Sequence, residues 1–162
     1  MSILENKKHF LHKHLTFLEP YGKEGKNGGF ENLLKQLGIK VGGKSWDDDH
    51  STIDWNLTNN HFQFFFDYEN NETEIKNWLK KSPISRYETL LTWLSWEDPI
   101  IRVKSTDFIE NWEEFIIAGG WDGLILTTED GKYYLEFTDT WKFHLNSNFE
   151  IKPGTKKIKA SR

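Results

Sequence analysis

The chain has no cysteine, one methionine and four prolines in 162 residues. Without cysteine it forms no disulfide, runs no thiol chemistry and offers no sulfur ligands for zinc or iron–sulfur centres. That composition fits a reducing compartment, and the expected location is cytoplasmic. No run approaches the roughly 20 apolar residues of a membrane helix. The opening MSILENKKHFLHKH lacks the continuous apolar stretch of a secretion signal. There is no G-x-S-x-G elbow for a nucleophilic serine. Residues 25–29 are glycine-rich but lack the Gly-Lys-Ser/Thr ending of a phosphate loop. No cofactor is expected.

What the chain does have is aromatic residues, 15% of the total, and segregated charge. Its length suits one domain with a core of its own, and buried rings remove large areas from water. Residues 45–139 hold twenty Asp or Glu against seven Lys or Arg, a net of −13. Residues 1–44 carry +4 and residues 140–162 carry +5. The acidic middle also holds seven of the eight tryptophans. Such a field favours encounter with a cationic partner and argues against wrapping a nucleic-acid backbone. No membrane partner is expected.

Local patterns predict a single domain over residues 1–152 and a basic flexible tail over 153–162. Residues 2–18 read as a helix opened by a Ser2/Glu5 capping box and stopped by Pro20. Phe30, Leu33, Leu34 and Leu37 form a second, short amphipathic helix closed by Gly38. Ile53, Trp55 and Leu57, then Phe62, Phe64 and Phe66, alternate around Asn59-Asn60 and predict a hairpin. Ile75, Trp78 and Leu79 stripe a helix ending before Pro83. Ser85 and Glu88 suggest a cap for another helix through Tyr87, Leu90, Leu91 and Leu94. A strand follows Pro99. Asp107 and Glu110 open a helix carrying Phe108, Trp112, Phe115 and Ile116, stopped at Gly119-Gly120. Residues 123–128 and 132–138 flank Asp130-Gly131, a type I′ hairpin pattern. Its register pairs Glu129 with Lys132, Thr128 with Tyr133, Leu126 with Leu135, and Leu124 with Phe137. Strands around Trp141–Leu145 and Phe149–Ile151 complete a meander. The fold class is α+β: an antiparallel sheet built from two hairpins and a C-terminal meander, with amphipathic helices packed on one face.

Each candidate chemical site has a simpler reading. His9, His12 and His14 do not converge as a zinc triad requires; they read as solvated helix positions. Asp47-Asp48-Asp49-His50 could offer oxygens to a divalent cation, but an EF-hand would need Gly and Glu where Thr52 and Thr58 stand. Glu136, Asp139 and Asp122 could meet at sheet ends as a carboxylate pair, a coincidence expected among twenty acids. Asp107, Glu110, Glu113 and Glu114 suit a helix start through its dipole. Trp46, Asp47, Asp48, Asp49, Asp54, Asp67, Glu69, Glu72 and Glu74 have less local explanation. The predicted hairpin sets Asp54 opposite Phe65, with Asp67 next on the same face, so these residues are the candidate partner-binding surface.

The acidic-aromatic stretch Trp46–Glu74 and the segment NWEEFIIAGGWDGLILTTEDGKYYLEFTD, residues 111–139, resemble in general character the immunity proteins of bacterial polymorphic-toxin and contact-dependent inhibition systems. The resemblance implies a small cytoplasmic domain, not an enzyme, that binds and neutralises one cognate, basic toxin domain. It carries over no residue roles, and the basic ends depart from a uniformly acidic inhibitor. The alternative is a metal-dependent hydrolase or carbohydrate-active protein using the acidic loop 47–50.

Overall fold

Among the described residues seven short strands make one antiparallel sheet in the order β1-β4-β3-β5-β6-β7-β2. They are β1 (Leu18–Pro20), β2 (Phe62–Phe65), β3 (Thr89–Thr92), β4 (Ile101–Lys104), β5 (Leu124–Thr127), β6 (Tyr134–Thr138) and β7 (His144–Ser147). The α-helices are α1 (Glu31–Gln36), α2 (Tyr68–Lys81), α3 (Ser105–Glu110) and α4 (Trp112–Gly119). The computed structural model describes residues 2–22, 30–42, 51–95, 97–119, 123–138 and 144–159, and only the backbone of residues 68–70. The class is α+β with an antiparallel sheet.

Both faces of the sheet are covered. On one face α2, α3 and α4 bury Ile75, Leu79, Phe108, Trp112 and Phe115 against Leu90, Val103, Leu126, Leu135 and Phe137. This is the helical layer that amphipathic spacing predicts. On the other face a smaller cluster joins Phe30, Leu33 and Leu34 of α1 to Ile53, Trp55, Leu91 and Ile125. Cover on both sides explains why β5 is buried at all four positions.

Where local signals are strong they hold. Leu33 and Leu34 are buried in α1, and Gly38 follows it at φ 80°, the left-handed geometry that suits glycine. α2 stops ahead of Pro83. The β5–β6 ladder pairs Leu124 with Phe137 and Leu126 with Leu135, and the Thr128 amide donates to the Tyr133 carbonyl at 3.0 Å. The turn itself differs. The Gly131 amide donates to the Thr128 carbonyl and Gly131 sits at φ 71°, so Glu129 and Lys132 lie within the turn. Glu129 is drawn away to Arg102.

Four expectations fail, each to a tertiary partner. The first hairpin does not form: Trp55–Leu57 winds into a 3-10 turn, its start held by the Asp54 carboxylate accepting from the Asn56 amide at 3.2 Å. Phe62–Phe65 pairs with β7 instead, Phe64 opposite Leu145 and Gln63 opposite Asn146. The predicted helix through Tyr87–Leu94 is β3, between β4 and β5. A short apolar run does not distinguish helix from buried strand, and here two ladders decide. The predicted N-terminal helix is reduced to a 3-10 turn, Phe10–His14, followed by edge strand β1 ending in Pro20. Phe149–Ile151 adds no strand; Phe149 and Ile151 are buried outside the ladder, and β2 takes the place beside β7.

The α3–α4 pair is a smaller correction. The helix begins at Ser105 rather than at Asp107 and breaks at Asn111. There the Asn111 amide side chain donates to the Asp107 and His14 carbonyls. The predicted apolar stripe is intact: Phe108, Trp112, Phe115 and Ile116 are all buried.

Candidate functional site

The acids divide into those that hold the fold and those that face solvent. Asp98, Asp107 and Glu136 are buried, and each fixes a segment with few regular hydrogen bonds. Asp98 accepts from the Ile3 and Leu4 amides, both at 2.9 Å, and from the Ser2 hydroxyl. Asp107 accepts from the Thr16 amide at 2.7 Å and from its hydroxyl. Glu136 accepts from the Thr52 amide at 2.7 Å, the Ile53 amide at 3.4 Å and the Trp55 indole N–H at 3.0 Å. A buried carboxylate persists because such donors replace its lost hydration. Asp107 is therefore a tertiary anchor rather than a helix cap.

Other acids are neutralised by cations or turns. Arg102 reaches Glu129 and Glu19 and lies over the Tyr21 ring, 5.0 Å from its centroid. The hydrogen bond from Arg102 holds the Glu129 carboxyl below its ordinary value, and the two acids raise Arg102. Lys80 meets Glu110 at 2.8 Å and lowers its carboxyl. The hydroxyl of Thr128 does the same for Asp130.

Of the candidate surface, Trp46, Asp47, Asp48 and Asp49 lie outside the described residues, as does the side chain of Glu69. Asp54 is half-buried on the segment packed beneath the α1 face. Asp67, Glu72 and Glu74 are exposed, at the entry to and first turns of α2 on the opposite face. The hairpin contact of Asp54 with Phe65 and Asp67 is thus absent. What is brought together is Glu72 with the start of α4, while Asp67 and Glu74 are tied to Asn71 at the start of α2. The Trp112 indole N–H donates to the Glu72 carbonyl at 3.1 Å. Burial raises the Glu113 carboxyl, and the neighbouring charge and hydrogen bond of Glu72 raise it further.

This acidic corner adjoins the end of β2, which has one sheet neighbour, β7, among the described residues. Phe65 is 65% exposed there, its ring centroid 4.3 Å from that of His144. Phe64 turns inward, edge-on to Trp78. On the Phe65 side a polar network joins β2 to β7. Asn146 Oδ1 accepts from Gln63 Nε2 at 2.9 Å and lies 2.8 Å from His61 Nε2. That oxygen can only accept, so His61 Nε2 carries the proton and Nδ1 is the ring's acceptor. Burial lowers the His61 pKa, and Trp55 stacks on its ring at 4.9 Å. Asn146 sits opposite Glu136 in the β6–β7 register.

Sequence reasoning missed this network. The available sign was Glu136 alternating with Leu135 and Phe137, which marks it as facing the sheet's second side but not that this side is covered. Among the described residues no three His, Cys, Asp or Glu side chains are placed to hold a metal ion. His12 Nε2 lies 2.7 Å from the Ile3 carbonyl, and His9 Nδ1 accepts from the Leu11 amide. No described helix is long and apolar enough to cross a membrane. No protein-family model, curated protein or solved structure matches the chain.

Proposed function

We propose that this chain is a non-enzymatic inhibitor of the immunity-protein type, acting in the cytoplasm, which binds and neutralises a basic toxin domain through an acidic-aromatic surface. The supporting observation is the β2–α2 corner: an exposed Phe65 runs directly into exposed Asp67, Glu72 and Glu74. The buried carboxylates are engaged by the chain's own amides, whereas these three acids face solvent close in sequence to an exposed apolar side chain. Aromatic side chains are frequent anchors of binding hot spots. An acidic field around such an anchor speeds encounter with a cation and disfavours wrong partners.

The test is to co-express the tagged chain with the product of the gene immediately upstream. A stable one-to-one complex that relieves that product's toxicity supports the proposal. No complex and no toxicity overturns it. Within such a complex, Asp67→Asn, Glu72→Gln and Glu74→Gln together slow association and flatten its salt dependence. Asp47→Asn, Asp48→Asn and Asp49→Asn form a second set. Association indifferent to salt and to both sets rejects the electrostatic reading.

A further inference from the structure

We infer that the outer edge of β2 is where an extended basic segment of the partner adds to the sheet as an eighth strand, at a position the chain's own basic C-terminal residues now touch. The inference rests on the binding reading above. Among the described residues β2 ends the strand order. Just ahead of it, the Ile158 amide donates to the His61 carbonyl at 2.7 Å, and Lys157 Nζ donates to Asn60 Oδ1 at 3.1 Å. The exposed stretch Lys156-Lys157-Ile158-Lys159 is thus already seated at one end of the edge.

In an extended strand the N–H and C=O of alternate residues point the same way. The outer side that begins with His61 therefore continues with Gln63 and Phe65. Among the described residues the tail's main-chain bond to this edge is at Ile158 alone. An open edge of this kind is a template for another strand. Strand addition takes affinity from main-chain bonds and specificity from side chains at alternate positions. Here the alternate side chain is the exposed Phe65, and the far end is the acidic corner of Asp67, Glu72 and Glu74. Lysines in the incoming segment fit that end as they fit Asn60 at the near one.

The probe is a labelled synthetic peptide of the tail's own sequence, PGTKKIKASR, titrated into the full chain by fluorescence anisotropy. Ile158→Pro removes the resident amide donor. The peptide is expected to bind this variant about tenfold more tightly than the unmodified chain, the scale of one or two hydrogen bonds. Adding Gln63→Pro, which a strand tolerates where its N–H faces outward, is expected to abolish the gain with the circular dichroism spectrum unchanged. Phe65→Ser, on an exposed site, tests the same edge should the proline variant not fold.

Binding that ignores both Gln63→Pro and Phe65→Ser overturns the inference. If that binding still falls with Glu72→Gln and Glu74→Gln, the acidic corner survives as a docking site without the edge. Binding that needs Gln63 and Phe65 but neither acid keeps the edge and overturns the charge reading. A dimer of the Ile158→Pro variant in sedimentation, lost with Gln63→Pro, makes a second copy the occupant and overturns the basic segment. Absence of peptide binding in every variant also overturns it.

Discussion

The indole N–H of Trp55 donates to the carboxylate of Glu136 at 3.0 Å, joining two buried residues that are 81 positions apart in sequence. The same carboxylate takes the amides of Thr52 and Ile53. It thereby fixes the segment that closes the sheet's second face. Removing the acceptor leaves donors buried, at about 1–3 kcal/mol for each one left unsatisfied. Glu136→Ala is therefore expected to lower stability by several such increments, and Trp55→Phe by about one. Urea unfolding of both single variants and the double variant should give a coupling of about 0.5–3 kcal/mol. Additive losses would show that the two residues act independently.

Glu113 supplies a pH test. Its folded pKa is raised above the ordinary 4.5 by burial first and by Glu72 second. A raised value means the folded state favours the proton. The associated stability is present below the unfolded value and is lost as pH rises through the folded one. Glu113→Gln, which cannot ionise, should melt higher than the parent near neutrality. The two should converge as pH falls towards the ordinary carboxyl value. Glu110, Glu129 and Asp130 have lowered values and lose stability on acidification, so the difference between variant and parent is the readout. A constant offset across that window would exclude Glu113 as its source.

Gly123 and Gly154 separate backbone conformation from space. Both have positive φ, 76° and 84°. A Cβ at Gly123 would lie 2.2 Å from the Phe137 carbonyl oxygen, whereas at Gly154 it meets nothing within 4 Å. Gly154→Ala should cost about 1–2 kcal/mol for the left-handed conformation alone. Gly123→Ala should cost clearly more, because the β5–β6 ladder must shift. On the scale of about 2–4 °C per kcal/mol for a chain of this size, thermal melts resolve the two. Equal losses would contradict the clash.

Asp98 is expected to act locally. It holds Ser2, Ile3 and Leu4, of which Ile3 joins the rim of a core cluster built mainly from the sheet and α2–α4. Asp98→Ala should raise hydrogen exchange across residues 2–16 and leave the β5–β6 amides protected. Uniform loss of protection would instead make the N-terminal segment part of the global folding unit.

Sequence alone determined the elements whose causes lie within a few residues. Leu33 and Leu34 with Gly38 specify α1. Ile75 and Leu79 with Pro83 specify α2. The alternation about Asp130-Gly131 fixes the β5–β6 register, because slipping it by one residue would turn Leu124, Leu126, Leu135 and Phe137 away from the helices. The acidic character of the middle was legible as composition. Which acids reach solvent was not, because burial depends on what folds over them.

Tertiary structure decided the remainder. Phe62–Phe65 had a plausible local partner in Ile53–Leu57, but the Asp54 cap and the distant Glu136 carboxylate took that segment. β2 was left to pair with β7 and become an edge. Leu90 and Leu91 suit either a helix or a strand, and the vacancy between β4 and β5 chose the strand. Non-local ladders and buried carboxylates stabilise an arrangement more than local propensity does. They are written into residues far apart in sequence, and only the folded chain brings those residues together.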